Sequence, residues 1–251
     1  MKENYKITIQ YEGTRYDGWQ KQGNTDNTIQ GKLEQILEKM TGELVEIHGS
    51  GRTDAGVHAM GQVANFHLPE GQEAPAVMQY LNRYLPDDIA VTAIERVPER
   101  FHSRLNAVKK TYLYQIETGP KRDVFVRRMQ YGLGQPLDVE AMRLAAKLLV
   151  GTQDYKSFCG NRKMKKSSVR TVESITVHCD PGSSVIAISF VGNGFLQNMV
   201  RIMTGTLIEV GLKKRSWKEM PAILAAKDRQ EAGFTAPAEG LCLAGVIYGD
   251  E

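Results

Sequence analysis

The run Gly49-Ser50-Gly51-Arg52-Thr53-Asp54-Ala55-Gly56-Val57-His58-Ala59 sits between two short β-type segments, near 44–49 and 62–68, and fixes how the first hundred residues are read. Upstream of it, Ile7, Ile9 and Tyr11 alternate with Thr8, Gln10 and Glu12, the period-2 pattern of a half-buried strand. Ile29, Leu33, Ile36, Leu37 and Met40 then recur at helical spacing, and Gly42 supplies a stop signal. Downstream, Val77, Tyr80, Leu81 and Tyr84 predict a helix over 75–84 that ends before Pro86, and residues 89–97 predict a strand. The resulting order is β-α-β-β-α-β, a ferredoxin-like arrangement.

The second half repeats this plan loosely. Strands are expected at about 110–117 and 125–132, and a helix at 138–150 with Asp138 as N-cap and Gly151 as its end. Strands at 170–179 and 185–191 precede a long apolar helix at 194–211, a shorter helix near 216–227 and a last strand at 242–248. The fold class is therefore read as α+β, two ferredoxin-like subdomains with mainly antiparallel sheets, divided at 1–105 and 106–251. The active site is expected in the cleft between them.

Composition narrows the function classes. No apolar run approaches the roughly 20 residues of a membrane span, and Met1-Lys2-Glu3-Asn4-Tyr5-Lys6 leads into a strand without the apolar core of a signal peptide. Three scattered cysteines, Cys159, Cys179 and Cys242, form neither a disulfide framework nor a CxxC zinc pattern, which fits a reducing cytoplasm. Residues 1–105 carry 11 Lys and Arg against 15 Asp and Glu, whereas residues 106–251 carry 21 against 14. The excess concentrates between Tyr155 and Val172, where Lys156, Arg162, Lys163, Lys165, Lys166 and Arg170 face no acidic residue. Such a tract suits a solvated loop or a polyanion footprint, and charge alone does not choose.

The glycine-rich run carries the chemistry. Its glycines permit unusual backbone angles and close approach. Neither GxGxxG nor GxxxxGK[ST] fits it, and Asp54 at its apex would repel phosphate. A carboxylate held by glycines beside an arginine suits nucleophilic or electrostatic catalysis, with a plain β-connection as the alternative. Arg201 lies in the apolar 194–211 segment, where a guanidinium needs a partner or an outlet to solvent. Tyr112 shares a strand face with Lys110 and Tyr114, which by itself is compatible with core packing.

Gly51-Arg52-Thr53-Asp54-Ala55-Gly56-Val57-His58-Ala59 resembles the signature of the TruA family of tRNA pseudouridine synthases. Further blocks resemble it in the same order. They are Tyr11-Glu12-Gly13 through Tyr16-Asp17-Gly18-Trp19-Gln20, Thr28-Ile29-Gln30-Gly31, and Phe101-His102-Ser103-Arg104 running to Lys110-Thr111-Tyr112-Leu113-Tyr114. Phe195 to Arg201 and Ala236-Pro237-Ala238-Glu239-Gly240-Leu241 follow. The blocks at 102–107 and 151–158 match loosely.

The resemblance implies a pseudouridine synthase fold, with Asp54 as nucleophile, Arg201 paired with it, and Tyr112 stacked on the target base and a candidate for proton removal. It also implies that Arg52 and Leu241 contact substrate. From its place in the loop His58 is a candidate phosphate contact, and from their charge Lys110, Arg162, Lys163, Lys165 and Lys166 are candidates to line the RNA backbone. Neither metal nor cofactor is implied. The implied partners are tRNA, modified at uridines 38–40 of the anticodon arm, and a second copy of the chain in a cytoplasmic homodimer. A paralogue acting on another RNA uridine, a non-catalytic RNA-binding protein of the same fold, and a hydrolase using Asp54 with His58 are the competing expectations.

Overall fold

A computed structural model describes residues 2–23, 25–161 and 163–249. The fold is mixed α and β, with a mainly antiparallel sheet, and it divides into two compact units. The first joins Met1–Val108 to Leu243–Glu251, and the second is Lys109–Cys242.

In the first unit the order is β1 (Lys2–Tyr11), α1 (Ile29–Thr41), β2 (His48–Gly49), β3 (His58–Pro69), α2 (Ala74–Tyr84) and β4 (Ile89–Val97). β1 is central, antiparallel to β3 on one side and β4 on the other, while β2 pairs the start of the Asp54 loop with the middle of β3. Alternation along β1 buries Tyr5, Ile7, Ile9 and Tyr11 on one face. α1 presents Ile29, Leu33, Ile36 and Leu37 to the core, and α2 presents Val77 and Leu81. Thr28 caps α1 by accepting the Gly31 N–H, and Gly42 closes it at φ 77°, a left-handed angle that favours glycine.

The expected strand at 44–49 shrinks to His48–Gly49. Val45 and Ile47 are buried as expected of a strand, but the Ile47 N–H is taken by the Glu34 carboxylate, 3.1 Å away, rather than by a ladder partner.

The second unit contains β5 (Ala107–Glu117), β6 (Tyr131–Gly132), α3 (Val139–Leu148), β7 (Gly151–Asp154), β8 (Val169–Cys179), β9 (Val185–Gly192), α4 (Met199–Gly211) and α5 (Met220–Ala226). β9 lies antiparallel between β5 and β8, and β8 pairs β7. Asp138 caps α3 through the Ala141 N–H. β10 (Leu241–Tyr248) returns the chain to the first unit, where it adjoins β3. Gly61 sits under this contact, since a Cβ there would lie 2.7 Å from the Ala244 carbonyl oxygen.

Four expectations in this unit change. Only Tyr131 and Gly132 of the expected 125–132 strand are paired. Val124, Phe125 and Val126 have β-forming side chains but stand exposed, with no neighbouring strand to bury them. Gly151, expected only as a helix end, opens β7, a strand over 151–154 that was not expected. The 216–227 helix is a 3-10 turn at Trp217–Glu219 followed by α5.

The long apolar helix begins at Met199 rather than 194, because Asn198 takes a left-handed conformation at φ 58° and breaks the periodicity. Once begun, α4 is buried at every residue but Arg201 and Glu209. Gly205 lets the 233–236 segment run directly along it, where a Cβ would collide with the Phe234 carbonyl. No helix among the described residues is long and apolar enough to cross a membrane.

Candidate active site

The Asp54 loop, residues 50–57, is tied down almost residue by residue within the first unit. Ser50 donates its N–H to the Val63 carbonyl and its hydroxyl to Gln62 Oε1, at 2.7 Å each. Gln62 Nε2 donates to the Gly51 carbonyl at 3.0 Å. The Thr53 carbonyl accepts the Trp19 N–H at 3.1 Å, and its buried hydroxyl lies 2.8 Å from that of Tyr11. Asp54 then opens a tight turn, its carbonyl accepting the Val57 N–H at 3.1 Å, with Gly56 at φ 78°. The Gly56 N–H is taken by the Tyr16 carbonyl. Asp54 itself is half-buried.

The segment 13–20 forms the bed on which this loop rests, and three glycines make the fit possible. A Cβ on Gly13 would collide with the Val57 carbonyl, and one on Gly49 with the Trp19 indole. Gly18, at φ 94°, would place a Cβ 2.6 Å from the Thr53 carbonyl oxygen. The bed is itself anchored. Arg15 and Tyr16 both donate to the Asp88 carboxylate, and burial followed by that hydrogen bond pushes the Tyr16 hydroxyl up to about 12. Tyr16 therefore stays a donor across the physiological range.

His58, expected at the substrate, is fully buried, and its Nδ1 accepts the Gly13 N–H at 3.0 Å, so it fastens the bed to the loop's exit. Arg52 is exposed and donates its Nε–H to Gln20 Oε1 at 3.2 Å.

In the second unit, Tyr112 lies on β5 opposite Phe190 of β9 and is 8% exposed. Its ring meets that of Phe195 edge-on at 5.3 Å, and Phe195 belongs to the loop before α4 rather than to the helix. Tyr114, two residues on, is wholly buried and donates to the Pro237 carbonyl at 2.8 Å, and burial raises its pKa well above the ordinary tyrosine value.

Arg201 stands in the first turn of α4, where the helix dipole disfavours a cation. Its Nε donates to the Ala236 carbonyl at 2.7 Å, and the Ala236 N–H returns a bond to the Arg201 carbonyl. Helix end and guanidinium together make this point electropositive, which suits an anionic partner. Leu241 is buried at the start of β10.

Lys110 is half-buried on β5, whereas Lys163, Lys165 and Lys166 are exposed on one loop of the second unit. Arg162 lies outside the described residues. Among the described residues, no three His, Cys, Asp or Glu side chains converge as metal donors.

Several supporting residues are silent in the sequence. Gln20, Thr53 and Ala236 act by hydrogen bonds to residues far away in the chain, which no periodicity records. The hints were their places in the blocks that resemble the family and the glycines at 13, 18 and 49, positions that tolerate close backbone approach.

The fold and these sites define an α+β protein with a rigidly presented carboxylate on one unit and a cationic surface on the other. Residues 7–106 and 145–249 match the tRNA pseudouridine synthase family. The chain is 50% identical to a Bacillus sp. (strain KSM-64) protein named tRNA pseudouridine synthase A, over 98% of this chain and 99% of that one. It is 48% identical to a Bacillus anthracis tRNA pseudouridine synthase A 2 and 43% identical to a Clostridium tetani tRNA pseudouridine synthase A 1, with the same coverage. The chain belongs to the tRNA pseudouridine synthase family.

Proposed function

We propose that the protein is an isomerase that converts uridine to pseudouridine in tRNA. The likeness over essentially the full length of named synthases carries this reading. In the reaction the C1′–N1 bond of uridine breaks, the uracil turns, and a C1′–C5 bond forms. The C5 proton is lost and N1 gains one, so the base is isomerised without net oxidation.

Asp54 is the group assigned to this chemistry. It attacks C1′, adds to uracil C6, or takes a sugar proton in an elimination. All three routes require an ionised carboxylate fixed in position, and the committed backbone of residues 50–57 supports that assignment. The family resemblance gives Arg201 as the ion-pair partner of Asp54. Tyr112 stacks on the target base, which offsets part of the cost of unstacking a few kcal/mol of duplex, since base–aromatic contacts contribute roughly 1–3 kcal/mol. The exposed Arg52 contacts the RNA backbone beside the flipped nucleotide, Leu241 packs near the uracil, and Lys110, Lys163, Lys165 and Lys166 neutralise phosphates. His58, being buried, serves the site by holding the bed of the loop.

The finer assignments follow the family resemblance. They comprise uridines 38–40 of the anticodon arm, a cytoplasmic homodimer, and two ferredoxin-like subdomains that share one active-site cleft. Incubation with tRNA tritiated at uridine C5 tests the reaction. Release of tritium from wild-type incubations is expected, and its absence across all tRNA pools overturns the proposal. Repeating the assay with single anticodon-arm uridines replaced maps the target position.

A further inference from the structure

Arg52 is the one exposed member of the Asp54 loop with a long side chain, and a free arginine would sample many rotamers. A chain of amides reaches it from the interior of the first unit. Gln30, in the first turn of α1, is buried with every amide valence used. Its Nε2 donates to Glu34 Oε1 at 2.8 Å and to the Ile47 carbonyl at 3.1 Å. Its Oε1 accepts from the Lys21 N–H at 3.0 Å and from Gln20 Nε2 at 2.7 Å. Turning this amide over would break all four bonds, so its polarity is fixed. Gln20 must then offer its Nε2 to Gln30, which leaves its Oε1 facing Arg52 as an acceptor. Because Arg52 spends Nε on that acceptor, its two terminal nitrogens are left to bind two oxygens of one phosphate side by side.

We propose that Gln20 and Gln30 are positioning residues that aim the Arg52 guanidinium at the substrate backbone. The inference rests on the role given to Arg52 above. It makes the loop's hold on the substrate backbone depend on two neutral side chains that touch no reacting atom. Gln30 sets the direction of the relay, and Gln20 transmits it.

A double-mutant cycle tests the idea, with single-turnover tritium release and tRNA affinity as readouts. Gln20→Met keeps the aliphatic stem and removes the acceptor. It should lower kcat/KM about fivefold to tenfold in the wild-type background and less than about twofold in Arg52→Ala. Thermal unfolding should change little, because Gln20 is only half-buried. Equal effects of Gln20→Met in both backgrounds, or none in the wild type, overturn the relay while leaving the role of Arg52 intact. Full activity of Arg52→Ala overturns that role and the relay with it, yet leaves the isomerase reading untouched as long as tritium is still released.

Discussion

The 50–57 loop of the first unit and the 161–168 loop of the second are equal in length, yet their described residues are held in opposite ways. In the first, backbone and side chains are bound to β3, to the 13–20 bed and to Tyr11. Among the described residues of the second, the bonds are local or terminal. Lys163 and Met164 donate their N–H groups back to Asn161, and Ser168 is clasped at the far end by Asp154 and Tyr155. The lysines between are exposed. A reacting carboxylate must be placed to within fractions of an ångström, and only a loop without spare backbone freedom does that. Phosphate neutralisation has no such requirement, because the attraction is long-ranged and tolerant of geometry. On the roles proposed for Asp54 and the lysines, the two loops answer two different demands.

The widest separation between them should appear on replacing Asp54. Asp54→Asn keeps the shape of the side chain and removes its charge, so tritium release should fall by about 10³-fold or more while tRNA affinity stays within about twofold. Near-normal turnover by this variant would remove the chemical reason for the loop's rigidity.

Glycine substitutions test the rigidity itself. Gly18→Ala introduces both a strained φ and a Cβ 2.6 Å from the Thr53 carbonyl, and should cost about 2–4 kcal/mol of stability and most of the activity. Gly182, between β8 and β9, also has a positive φ, of 80°, but open space around it. Gly182→Ala should cost only about 1 kcal/mol, and chemical denaturation of the two variants measures the difference as the part due to the loop contact.

How far the sequence foretold this contrast depends on what each feature leaves in the chain. α1 was legible because Ile29, Leu33, Ile36, Leu37 and Met40 keep one helical period and Gly42 ends it. The Asp54 loop was legible because glycines, an arginine and an aspartate rarely crowd together without cause. The misread elements have apolar residues whose burial is not made by a ladder or helix. Val45 and Ile47 are buried in irregular chain, Val124 to Val126 are exposed, and Phe195 packs on Tyr112 from a loop. Hydrophobic pattern does not by itself fix secondary structure: Val45 and Ile47 are buried without a ladder, and Val124 to Val126 are not buried at all. The link between Gln20 and Gln30, both in blocks that resemble the family, was hidden for another reason. An amide's polarity is set by its neighbours in space, and those neighbours are β-loop, helix and turn from separate parts of the chain.

The second loop should fail gently and in a salt-dependent way. Replacing Lys163, Lys165 and Lys166 together by alanine should weaken tRNA binding and lower the slope of log affinity against log salt by about 2–3, with kcat at saturating tRNA unchanged. A fall in kcat would mean that the tract does more than attract phosphate, and the contrast between the loops would narrow. The smallest effect concerns its clasp. The Ser168 hydroxyl holds the Asp154 carboxyl below its ordinary value of 3.8, aided by Lys227 and the Lys156 N–H. A carboxyl whose folded pKa is depressed stabilises the fold above its unfolded pKa, and that contribution is lost as the pH falls through the folded one. Asp154→Asn still accepts the Ser168 hydroxyl but loses the charge. It should melt about 1–2 °C below the wild type near neutral pH, with the gap closing below pH 3.8. A gap that persists in acid would show that packing rather than charge secures this end of the tract. The second loop would then share some of the rigidity assigned here to the first alone.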